Sequence, residues 1–143
     1  MNKLFLDTNV LIDFVADRKD YPASKRVIQL AETKHVRLAA SVLTMVNMTF
    51  ILRAQLTGKK LYQTLESLSS LMDIAPMTRS DYASALESKA HDFEDALQYY
   101  CAVSAGCDAI LTRNVKNFSS GSIPVMTPMD FLLDYFKQTT SGE

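Results

Sequence analysis

Residues 4–14 read LFLDTNVLIDF, and this stretch decides the fold. Leu4, Phe5 and Leu6 are apolar in succession, which suits a short strand over residues 3–6 buried on both faces. Asp7 stops the run, Asp7-Thr8-Asn9 forms a turn, and residues 10–16 read as a short helix. A strand that hands directly to a helix begins a crossover, and crossovers join parallel strands.

The same alternation continues outward. Pro22 suits the first turn of a helix over residues 22–34, with Val27, Ile28 and Leu30 among its apolar positions. Residues 36–40 read as a second strand, and Ser41 as the N-cap of a long helix to about residue 56. Gly58 punctuates the chain before a helix to about residue 70, where Leu61, Leu65 and Leu68 keep helical spacing. Residues 72–76 are a third strand candidate, and Thr78 with Asp81 resembles a capping box for a helix ending near residue 89. Asp92 opens a helix through about residue 105, which Gly106 closes. Strands follow over residues 109–111 and 123–126, and Thr127-Pro128 starts a last helix through Phe136. The pattern predicts one α/β domain over residues 1–137, with a mainly parallel sheet of about five strands covered on both faces. Residues 138–143 are polar and are expected to be a loose tail.

Composition narrows the function. The chain is 48% hydrophobic and 22% charged, as an ordinary folded domain is. Its formal net charge of −1 argues against a broad basic nucleic-acid surface, so any such contact needs a local site, with a cation as intermediary. The first apolar run is too short for a signal peptide or a membrane span, so a cytoplasmic location is expected. Cys101 and Cys107 are then expected to be buried free thiols. His35 lies at the amino end of a strand, away from the expected site, while His91 adjoins Asp92.

In an open parallel sheet, ligands bind at the carboxyl ends of the strands. Asp7 stands at such an end. Thr8 or Asn9 could cap the following helix as well, which leaves Asp7 available for a metal or acid–base role. In HDFEDALQYY, Asp92 and Asp95 are three apart and share a helix face, while Glu94 is turned about 100° away. Asp92 also suits the N-cap, and the helix dipole is expected to keep Asp95 ionised. Mg²⁺ and Mn²⁺ prefer carboxylate and water oxygens, activate water and neutralise phosphates. Converging aspartates suit that chemistry.

Three stretches together resemble the PIN-domain family: LFLDTNVLIDF, then SVLTMVNMTFIL, then DFEDALQYYCAVSAGCDAILTRNVKNF with a closing IPVMTP. The order and spacing match over nearly the whole chain. The resemblance implies a three-layer α/β/α sandwich and a Mg²⁺- or Mn²⁺-dependent endoribonuclease, often the toxin of a toxin–antitoxin pair. It implies RNA as substrate, an antitoxin protein as partner, a homodimer, and no membrane association. Carried over by position, Asp7 matches the family's first acid and Asp95 its third, with Asp92 as a further catalytic candidate. Asn47 and Asn114 fall where the family has its second and fourth acids, and are read as neutral metal ligands; Asn117 replaces another aspartate. Thr8, Asn9, Ser41, Thr44 and Thr112 match supporting polar positions. Arg113 and Lys116 could reach phosphates, although a solvated basic turn is the simpler reading. Asp108 is no substitute acid, because it begins a strand and sits roughly 13 Å away at the opposite rim.

An amide oxygen can coordinate a cation but brings no charge, so two asparagines weaken the field that attracts one. They keep a second function open: a PIN-like module that binds RNA or protein without cutting. Phosphoryl chemistry on a similar sheet fits poorly, since Asn9 stands where a dehalogenase-like phosphatase needs a second aspartate.

Overall fold

The computed structural model describes residues 2–118 and 121–141, with the side chain of Ser141 excluded. Five strands form one parallel sheet in the order β3-β2-β1-β4-β5. In chain order these are β1 (Lys3–Leu6), β2 (Arg37–Ser41), β3 (Asp73–Ala75), β4 (Ala109–Leu111) and β5 (Val125–Met126). Among the described residues seven α-helices accompany them, six between strands and the last after β5: α1 (Thr8–Val15), α2 (Pro22–Glu32), α3 (Val42–Ile51), α4 (Gly58–Leu71), α5 (Arg79–Ser88), α6 (Phe93–Ser104) and α7 (Pro128–Ser141); a short 3-10 turn over Val115–Asn117 lies between β4 and β5. The chain order reverses between β1 and β4, which places a switch point beside the carboxyl end of β1.

Alternation within the strands builds the layers. Leu4, Leu6, Leu38, Ala40, Ala109 and Leu111 enter a core with residues of α1, α2, α3, α4 and α7. Phe5, Ala39 and Ile110 point the other way, onto Tyr99, Cys101 and Ala102 of α6. Both faces are dry, so the strands read as unbroken apolar runs. Each fully buried Leu, Phe or Ile contributes roughly 1.5–3 kcal/mol. The α/β sandwich and its parallel sheet are as the sequence predicts.

Several boundaries differ from the expectation, for local reasons. Helix α1 begins at Thr8 because Asp7 itself is the N-cap, its side chain accepting from the Thr8 amide. Helix α3 ends at Ile51 rather than near residue 56, and the chain turns so that both Leu52 and Leu56 are buried. Met45 and Met48 of α3 also enter the core, whereas Phe50 is 64% exposed. Helix α7 passes Phe136 and runs to Ser141, so residues 138–141 of the expected loose tail are helical. Arg26 stacks over the Phe136 ring at 5.2 Å, and Thr139 and Thr140 bond back to helix carbonyls. Residues 142 and 143 of that tail lie outside the described residues. The capping box of Thr78 and Asp81 forms as read, and Gly106 takes a φ of 72° after α6. Cys101 and Cys107 are buried free thiols. Among the described residues, no helix is long and apolar enough to cross a membrane.

Candidate functional site

An open cleft of ≈ 420 Å³ at the carboxyl rim is walled by Asp7, Asn47, Asp92, Glu94, Asp95 and Asn114. Thr8, Asn9 and Asn117 also border it. The fold therefore brings together Asp7 and Asp95, 88 positions apart by their numbering, as the sequence predicts.

Asp7 is delivered by β1 and held on every side. Its amide donates to the Leu111 carbonyl at 3.0 Å, which continues the β1–β4 ladder by one residue. One carboxylate oxygen accepts from the Thr8 amide at 2.8 Å. The other accepts from the Thr112 hydroxyl at 2.7 Å and the Asn9 side-chain amide at 3.3 Å. Burial pushes the Asp7 carboxyl above its ordinary range, with the Asp92 charge adding to the rise, and these three donors oppose it without cancelling it. Asp7 is thus both the cap of α1 and the innermost acid of the cleft, two roles the sequence reading had treated as alternatives.

Helix α6 supplies the rest of the charge. Asp92 is its N-cap and accepts from the Asp95 amide at 3.0 Å. Asp95 was expected to stay ionised beside the helix N-terminus. Instead burial, and then the charges of Asp7, Asp92 and Glu94, push its carboxyl up to about 7. In a half-buried site the lost hydration and three neighbouring acids outweigh the dipole, which is worth about 0.3–1 kcal/mol in exposed settings. Glu94, set aside on the sequence for its helical angle, also reaches the cleft. Its carboxylate accepts from the Asn47 side-chain amide at 3.2 Å. Burial and the charges of Asp7 and Asp92 raise it too.

Ser41 and Thr44 lie underneath. Ser41 caps α3, accepting from the Thr44 amide at 2.9 Å, and its hydroxyl donates to Gln98 at 2.8 Å. The Gln98 amide donates to the Thr44 hydroxyl at 2.9 Å, and Thr44 pairs with Thr8 at 3.0 Å. This buried chain ties β2, α3, α6 and α1 together directly below the acids. Gln98 is wholly buried and went unread, yet a signal existed: it stands three residues after Asp95 amid Ala, Leu and Tyr.

Arg113 is not a solvated basic turn. Its Nε lies 2.9 Å from Asp13, whose carboxylate is fully shielded, and its guanidinium stacks 4.1 Å above the Tyr21 ring. The Arg113 amide donates to the Asn9 side chain at 3.3 Å, and the Asn114 amide to the Thr112 hydroxyl at 3.0 Å. Asn114 and Asn117 remain exposed at the cleft edge. Lys116 is exposed as well. His35 pairs with Thr33 at 2.8 Å and lies before β2, far from the carboxyl rim. Asp108 accepts from the Lys3 amide at the amino rim, as expected.

The lining fits a hard divalent cation. Several oxygen donors face a cleft that, among the described residues, no Lys or Arg borders, and their mutual repulsion marks a place where positive charge would be stabilising. Among the described residues no three His, Cys, Asp or Glu groups are already grouped as a metal cluster. A cation here would rest on few carboxylates, with amide oxygens and water completing its shell.

This rim, with its paired acids and threonine supports, defines a class of protein. The chain belongs to the PIN-domain family, whose model matches residues 3–116. It is 27% identical over 135 residues to the ribonuclease VapC1 of Aquifex aeolicus, covering 90% of this chain and 92% of the relative. Two solved structures share its fold at 16% identity. VapC20 of Mycobacterium tuberculosis, a Sarcin-Ricin loop cleaving toxin, superposes with a TM-score of 0.57 over 75% of this chain and 86% of its own. VapBC2 of Rickettsia felis, bound to a DNA fragment from the promoter, gives 0.60 over 87% and 98%.

Proposed function

We propose that the protein is a divalent-metal-dependent endoribonuclease of the toxin type, and that Asp7, Asp95, Asn47 and Asn114 hold the ion. The observation that carries this reading is the convergence of Asp7 and Asp95 on one acidic cleft at the sheet's switch point. Membership of the PIN-domain family and the likeness to a VapC1 ribonuclease support it. Mg²⁺ or Mn²⁺ would neutralise the scissile phosphate and activate the attacking water. The chain's own residues do the rest. Thr112, Thr8 and Asn9 fix the Asp7 carboxylate in one orientation. Asp92 braces the first turn of α6, which carries Asp95, and Asn47 steadies Glu94. Hydrolysis forms one P–O bond from water and breaks one to the leaving ribose oxygen.

Asp7→Asn keeps a good cap for α1 and removes the charge. It is expected to lose Mn²⁺-dependent cutting of single-stranded RNA while the far-ultraviolet circular dichroism stays unchanged. Wild-type protein that never cuts RNA with either ion would end the enzymatic reading.

A second reading, a PIN-like module that binds without cutting, is favoured by the amides of Asn47 and Asn114 in the cleft. We also place an antitoxin protein and a second copy of the chain among its partners, and its location in the cytoplasm. Val42, Val46 and Phe50 form an exposed apolar row on α3 that suits such contacts.

A further inference from the structure

A second cavity, of ≈ 380 Å³, lies beside the acidic cleft, and Asn114 is a wall of both. Tyr21, Pro22, Pro128 and Met129 give it flat or apolar sides, and Arg113 gives it donors. Building on the ribonuclease reading, we propose that this pocket takes the nucleobase next to the scissile phosphate and favours guanine over adenine.

Three observations lead there. The first is continuity. Asn114 is shared by both linings, so a strand leaving Asp7 and Asp95 on that side meets the pocket as the adjoining concavity. Its size is within the range of small-molecule sites, about 300–1,000 Å³. The second is charge. Asp13 already compensates Arg113 at 2.9 Å, with Arg18 at 3.6 Å, and Asp20 borders the pocket. Two acids against two guanidinium groups leave no net pull on a phosphate, whereas a neutral base can stack without paying to remove a charge from water. The third is orientation. The Arg113 guanidinium is held in one plane by Asp13 on its Nε side and by the Tyr21 ring at 4.1 Å. Among the described residues its Nη groups make no hydrogen bond, and the side chain keeps 28% of its surface open. A paired donor edge matches the O6 and N7 acceptors of guanine. Adenine sets an amino group where guanine has O6, so donor would face donor.

Wild-type protein with Mn²⁺ is given a randomised single-stranded RNA pool, and the products are sequenced. One position flanking the cut is expected to show guanine enriched over adenine by about fivefold or more. Tyr21→Leu, which removes the ring that fixes the plane of the Arg113 guanidinium, is expected to flatten that preference in the products it makes. Met129→Glu is the second variant, since it alters a half-exposed wall that takes no part in the buried ion pair. In parallel, guanosine and adenosine 5′-monophosphate are titrated into metal-free protein, which reads the pocket without cutting. Tighter guanosine nucleotide binding that both variants weaken supports the pocket. RNA cutting with no base preference, or with a preference both variants keep, overturns it and leaves the ribonuclease reading standing. Guanine-selective binding with no cutting retains the pocket and overturns the nuclease.

Discussion

Replacing Arg113 with methionine isolates the ion pair that braces the active rim. Asp13 is wholly buried at its carboxylate, and neither oxygen makes a hydrogen bond among the described residues. Arg113 at 2.9 Å and Arg18 at 3.6 Å are its compensation. Removing one partner of a buried pair costs about 3–5 kcal/mol, because the remaining charge stays desolvated. Arg113 is partly open to solvent and Arg18 remains, so the expected loss lies near the lower end, about 3 kcal/mol. Urea unfolding at pH 7 reads this as a midpoint lower by about 1–3 M for a slope of about 1–3 kcal/mol/M. The pH dependence has a definite sign. Burial already raises the Asp13 carboxyl above 3.8, and Arg113 and Arg18 oppose that rise. Without Arg113 the folded-state value climbs further. A carboxyl raised by folding gives its full stability below the unfolded value and loses it as pH rises through the folded one. The deficit of Arg113→Met is therefore largest at neutral pH and narrows toward pH 4. Asp13→Leu combined with Arg113→Met removes both charges and should recover most of the loss. A deficit under about 1 kcal/mol, or one that ignores pH, would refute the account of a buried ionic strut.

Other outcomes follow from the same structure. Gln98→Leu leaves the buried Ser41 hydroxyl without its acceptor and takes one of the two side-chain partners of Thr44, and should lower stability by about 1–3 kcal/mol in chemical unfolding. Asp95→Asn should make the metal-free protein more stable than wild type at pH 8. The wild-type carboxyl keeps its full contribution only below the ordinary value of 3.8 and loses it as pH climbs through about 7, so the gap should narrow as pH falls and close only near pH 4 in thermal unfolding. Gly121→Ala places a methyl group onto the Tyr99 hydroxyl, which itself accepts from the Ile123 amide. An overpacking loss of about 1–3 kcal/mol is expected in calorimetry.

The fold was legible because Leu4-Phe5-Leu6 and its counterparts are apolar on both sides and are separated by helix-length segments. Caps were legible wherever one side chain could do the work, as at Thr78 and Asp92. At Asp7 three candidates stood in a row, and position alone could not choose among them. Asp7 and Asp95 could be placed on one rim from topology, since each follows or opens an element there. Glu94 and Arg113 could not. The helical angle of Glu94 ignored the reach of Asn47 from α3, and the partner of Arg113 lies 100 positions away by its number. For Asp95 the sequence showed the local dipole alone, and not the burial and the three acids that only the tertiary fold assembles.

Mn²⁺ titration of wild type, Asp7→Asn, Asp95→Asn and the double variant at pH 8, followed by calorimetry, tests the central claim that two distant aspartates serve one ion. Each single change should weaken binding by about tenfold or more, and the double variant should show no remaining site in the cleft. Undiminished Mn²⁺ affinity in the double variant would contradict the account.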